Sequence, residues 1–162
     1  MLPSTGWSWP ERALAAGAAG SFGIAMLHVA IALVGGDAYA YFGAADLARA
    51  DAVGSIMPAL LTVGAAAVFA LFGAYALAAV RPGRPILPVR WLPWPVLGLR
   101  VITAIYLLRG GVLITQSYLR LQGEEVPARL FVFSAVALAL GVLQLWGILG
   151  LRRGAAADVA VQ

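Results

Sequence analysis

"AVGSIMPALLTVGAAAVFALFGAYALAAV", residues 52–80, runs for 29 positions without a charged side chain. About 20 consecutive apolar residues carry a helix across the hydrocarbon core of a bilayer. Two more stretches meet that length: Ala13 to Gly36, with 24 residues, and Leu130 to Leu151, with 22. A fourth, from Val101 to Leu119, is interrupted only by Arg109. Four such helices use nearly all of the 162 residues and leave no length for a soluble domain. The expected fold is all-α, an integral membrane four-helix bundle forming a single transmembrane domain over residues 1–162.

Composition agrees. Hydrophobic residues make up 62% of the chain and charged residues 11%, with a mean hydropathy of +0.92. Soluble domains carry about 25% charged residues. All 11 basic residues are arginine, as a GC-rich bacterial genome would encode. The net charge of +4 is no nucleic-acid signal, because the arginines fall at helix ends rather than on one soluble face. With no cysteine, disulfides, thiol redox chemistry and cysteine-ligated metals are excluded.

The spacing predicts helices over about 13–36, 53–80, 96–118 and 129–151. "AYA" at Ala38 to Ala40 resembles a signal-peptidase site, but the preceding run exceeds a secretory h-region of about 7–15 residues and follows Glu11 and Arg12, so it reads as the first helix. Arginine placement sets orientation. Arg12, Arg81, Arg84, Arg90, Arg152 and Arg153 fall on one side, against Arg49, Arg120 and Arg129 on the other. Six against three puts both termini in the cytoplasm, with the protein a multi-pass component of the cell inner membrane. Trp7, Trp9, Trp91, Trp94 and Trp146 fall near the same inner interface, as an aromatic belt would.

The inner loop 81–95 is rich in proline and arginine and cannot continue a helix. The outer loop 37–51, "DAYAYFGAADLARAD", carries Tyr39, Tyr41 and Phe42 where a solvated loop would be polar. It is expected either to lie as an aromatic belt in the interface or to close over the bundle's outer mouth. Asp46 and Arg49 would pair within it if that stretch is helical. "LFGAYAL" (71–77) resembles "LWGILGL" (145–151), and each is followed by arginine. A duplication would make helices 1 and 3 equivalent and parallel.

Inside the expected spans, polar residues are few. Arg109 lies 13 residues into helix 3, and a charge at a helix centre costs roughly 2.5–3.5 kcal/mol on insertion scales. The guanidinium stays protonated and must find acceptors. Asp37 is the nearest candidate for an ion pair with Arg109; an anionic ligand or lipid head group is the other candidate, suited to a planar fork of donors. Arg109 shares its face with Tyr106 and Gln116. His28, the only histidine, lies at similar depth in helix 1 on a face of small residues from Gly17 to Gly35 suited to close packing. Both faces are expected to look into the bundle, with Thr62 and Ser134 adding to the polar region and Gln144 in another layer. Arg100, about four residues from its helix end, reads as snorkelling with no role implied.

For Arg109 the readings are a structural pair or bonds to helix carbonyls, contact with a ligand, or snorkelling. For His28 they are a hydrogen-bonded core residue, a pH-sensitive or ligand-contacting one, or a metal or pigment ligand. One histidine without cysteine or a facing carboxylate makes a poor metal site, so no metal ligands are assigned, and no cofactor is named.

"LHVAIAL" in helix 1, "YAYFGA" in the loop and "YLLRG" in helix 3, set in a four-helix plan, resemble small bacterial inner-membrane proteins that are broadly DoxX-like. That resemblance implies a link to redox complexes or an accessory role. The chain has no cysteine for a thiol-based version of it.

Three functions remain open. The first is binding of a small anion or lipid-like ligand in a polar pocket in the outer half, lined by His28, Tyr106, Arg109, Gln116, Tyr39 and Tyr41. No carboxylate within a helix is available to couple protons, which counts against transport. The second is an accessory subunit of a larger membrane complex, its small-residue faces serving a membrane-protein partner or a second copy. The third is an enzyme acting on a lipid or sterol-like substrate, with His28 as acid or base; no second catalytic group is convincing except Tyr106, and no catalytic residue is assigned.

Overall fold

The computed structural model describes residues 6–80 and 95–160. Every element in it is helical: α1 Trp9–Val34, α2 Gly36–Tyr41, α3 Ala45–Ala52, α4 Met57–Val80, α5 Pro95–Leu121 and α6 Ala128–Ala160. Four of these, α1, α4, α5 and α6, are long and apolar enough to cross a membrane, and the chain is a multi-pass membrane protein. Only 28% to 39% of each span is buried within the protein, which leaves most of its apolar surface to lipid. The proline- and arginine-rich segment, with Arg81, Arg84, Arg90, Trp91 and Trp94, lies outside the described residues, as does the side chain of Arg153.

Helix ends depart from the edges of the apolar runs for local reasons. α1 starts a turn before Ala13 because the Glu11 carboxylate accepts from the Ser8 N–H at 2.6 Å and from its hydroxyl at 2.9 Å, the return half of a capping box. Pro10 and Pro58 sit second in α1 and α4, and Pro95 sits first in α5. A missing N–H costs nothing in a first turn, which is why α4 begins at Met57 and not at 53. α5 stops where the Glu124 N–H returns to the Leu119 carbonyl. α6 runs on to Ala160, past its span, through an alanine-rich stretch of high helix propensity. An apolar run measures the span, not the helix.

Contacts divide the chain into two compact units. The first comprises the chain up to Ala18 and from Ala74 onward, the second Ala19–Gly73.

In the first unit α5 and α6 form an antiparallel seam. Thr103 meets Gln144, Leu107 meets Gly141, and Gly110 meets Leu138. At Gly110 the two backbones come so close that a Cβ would lie 2.5 Å from the Leu138 Cα. The first half of α1 joins the same helix, Leu14 against Gly147 and Gly17 against Gln144. α1 is therefore antiparallel to α6 and parallel to α5. The start of α1 and the end of α6 share one end of the unit, called the terminal end below; Pro10 meets Gly150 there. Leu14, Leu99, Val80, Ser134 and Gln144 are fully buried.

The second unit is the remainder of α1, the pair α2–α3, and α4 up to Gly73. Phe22 packs on Gly73, and the rings of His28 and Phe69 lie 5.0 Å apart, so α1 and α4 run antiparallel. Segment 37–51, read from sequence as a loop, is mostly the two short helices α2 and α3. Gly35 adopts φ +78°, a left-handed turn that a side chain would strain, and the Asp51 carboxylate accepts the Gly36 N–H at 2.8 Å. That bond ties the end of α3 to the start of α2. Arg49 and Asp46 form the ion pair that helical spacing makes available.

Candidate functional site

Arg109 leaves α5 beside Gly110, where α6 is closest. One turn before Leu138, α6 presents Ser134, and the Arg109 Nη1 donates to its Oγ at 2.9 Å. Ser134 is fully buried while Arg109 is exposed. A hydroxyl lone pair takes one of five guanidinium donors and leaves the charge whole. Among the described residues, Arg109 has no carboxylate partner. The electrostatic demand of a charge near mid-span is therefore met in part, and the remaining donors are open to an acceptor from elsewhere.

Its neighbours on α5 behave differently. Tyr106 and Gln116 are buried, and the Gln116 Oε1 has no hydrogen-bond partner among the described residues. In the second unit the His28 Nδ1–H donates to the Ile24 carbonyl at 2.8 Å, so the ring folds back on its own helix and rests against Phe69. Tyr39, in α2, is buried with its hydroxyl unpartnered among the described residues, whereas Tyr41 is exposed and meets Phe42 edge-on. Asp37 lies in the first turn of α2. The six expected ligand residues thus divide three and three: Tyr106, Arg109 and Gln116 in the first unit, His28, Tyr39 and Tyr41 in the second.

Two features of the first unit escaped the sequence reading. One is a buried polar contact within the seam. The Thr103 hydroxyl donates to the Leu99 carbonyl at 2.7 Å and also lies 3.2 Å from the Gln144 Oε1, while the Gln144 Nε2 has no partner among the described residues. One hydroxyl proton cannot serve two acceptors equally. With the Gln144 amide turned over, Nε2 would donate to Thr103 Oγ, which would keep its own proton for Leu99.

The other feature is a groove of about 240 Å³ between α5 and α6 toward the terminal end. Its α5 wall is Arg100, Thr103, Ala104 and Leu107; Leu145, Leu149 and Arg152 come from α6. The signal was present in the sequence as two stripes at helical spacing, each ending in arginine. It stayed invisible because the shared end of the two arginines does not say that these two stripes face each other.

No protein-family model matches the chain, and neither a curated protein nor a solved structure does. The functional reading therefore rests on these residues alone. Among the described residues, no group of three or more histidine, aspartate or glutamate side chains is placed to hold a metal ion.

Proposed function

We propose that this small membrane protein binds an anionic, lipid-like molecule or small anion through Arg109. One observation carries the reading: a guanidinium near the middle of a span is exposed and, among the described residues, anchored by the Ser134 hydroxyl alone. Anchoring by a neutral hydroxyl fixes the guanidinium without neutralising it, leaving donors in a planar fork suited to carboxylate or phosphate. Tyr106 and Gln116 on the same helix supply further polar groups. The location that goes with this reading is the bacterial inner membrane, and arginine placement supports an orientation with the terminal end cytoplasmic.

Native mass spectrometry of the wild type beside Arg109→Gln tests this. A small anionic adduct held only by the wild type is the expected result. If both release the same species, and the variant copurifies with a stoichiometric membrane-protein partner just as the wild type does, the accessory-subunit reading replaces this one.

A further inference from the structure

The α5–α6 groove lies apart from Arg109. From 100 to 109 is nine residues at about 100° each, which sets Arg100 and Arg109 on opposite faces of α5. The groove's composition is specific. Its walls are aliphatic over the turns from Leu107 and Leu145 downward, and Arg100 and Arg152 stand at one end. The candidate span of α5 opens at Val96 and that of α6 closes at Arg152, so both arginines fall at or within about a turn of a span end, where the hydrocarbon core of a bilayer would give way to head groups. Both arginines are exposed, and neither has an ion-pair partner among the described residues. Ala104, Leu145 and Leu149 are exposed too, so the groove is open along its length. Thr103 and Ile148 are buried at its floor.

We propose that this groove binds one anionic phospholipid of the surrounding membrane, with its phosphate between Arg100 and Arg152 and an acyl chain along the aliphatic walls. From Arg100 to Leu107 the helix rises roughly 10 Å, room for the first part of an acyl chain. Charge complementarity selects the occupant. Beside a zwitterionic head group the two guanidinia would keep both positive charges uncompensated, whereas an acidic phospholipid such as phosphatidylglycerol, with one net negative charge, offsets one of them through charge-assisted bonds. An open side suits a lipid that enters from the bilayer, and the aliphatic walls give an acyl chain what a free anion would not use.

The test is native mass spectrometry of delipidated full-length protein in neutral detergent, titrated with phosphatidylglycerol or phosphatidylcholine. The wild type is expected to retain phosphatidylglycerol in preference to phosphatidylcholine. Arg100→Gln with Arg152→Gln should weaken that retention about thirtyfold, the sum of two arginines near an anionic surface. The same loss is expected when the double change is made on an Arg109→Gln background, which separates this site from the one under Proposed function. Ala104→Phe, which fills the groove while keeping both charges, should also abolish retention; it covers the case in which the double variant fails to fold. Equal retention of the two lipids by the wild type, or undiminished retention by the Ala104→Phe variant, would overturn the proposal.

Discussion

Arg109 and the pair Arg100–Arg152 are alike in residue type and opposite in circumstance. Arg109 sits near the middle of its span, held by a buried serine across the tightest part of the seam. Arg100 and Arg152 sit near span ends with no partner among the described residues, beside an aliphatic groove. Depth accounts for the difference. Near mid-span a guanidinium is furthest from water and costly to hold, so an acceptor supplied by the fold matters most there. Near the interface it can reach head groups, so the fold need only place it.

Both situations depend on the closeness of α5 and α6, so the largest effect should come from prising them apart. Gly110→Leu forces a side chain into the Leu138 backbone and should destabilise the protein by about 3 kcal/mol, the upper end of overpacking costs, with loss of both sites, read by thermal unfolding in detergent. An unchanged melting temperature would mean that the seam is not what holds these helices.

The next effect sharpens the Arg109 side of the comparison. Ser134→Ala removes the anchoring acceptor and should cost about 1–3 kcal/mol. The double change Ser134→Ala with Arg109→Leu should recover most of that loss, since the unmatched charge is gone. If the double variant is less stable than Ser134→Ala alone, the arginine stabilises the fold through some other contact.

Asp51→Ala tests the second unit and should leave both arginine sites alone. Loss of the Gly36 N–H acceptor should cost about 1 kcal/mol and speed amide exchange in α2 and α3 while α5 and α6 stay protected. Uniform acceleration across all helices would deny that the α2–α3 pair opens separately. Smallest of all should be Gln144→Met, which keeps the side-chain length against Gly17 and removes an amide with one unpartnered end. Hydrogen bonds between membrane helices average about 0.6 kcal/mol, and a stability change below about 1 kcal/mol is expected.

How much was legible beforehand follows from the kind of signal. Arg109 stood out because a charge in a 20-residue apolar window is rare. Ser134 was read, with Thr62, as adding to the same polar region, but not as the partner of Arg109, because depth alone does not say which residues meet. The Ser8–Glu11 cap and the α2–α3 pair had readable signals, S-x-x-E before an apolar run and a glycine pair before an acidic residue, yet apolar length drowned them out. Arg100 was read by itself as a snorkelling residue, and nothing local to it names Arg152, more than 50 residues away.

The sequence by itself determined the class. Four apolar runs of membrane-spanning length require four helices, because a backbone in lipid must satisfy its own hydrogen bonds. It also determined that an arginine lies within one span and that no thiol chemistry is available. Tertiary structure decided which side chains meet: Arg109 with Ser134, Thr103 with Gln144, and two arginine-ended stripes across one groove. Those pairings depend on how closely and in what register α5 passes α6. That register is set by glycines whose only contribution is the absence of a side chain, and an absence has meaning only once the opposing helix is in place.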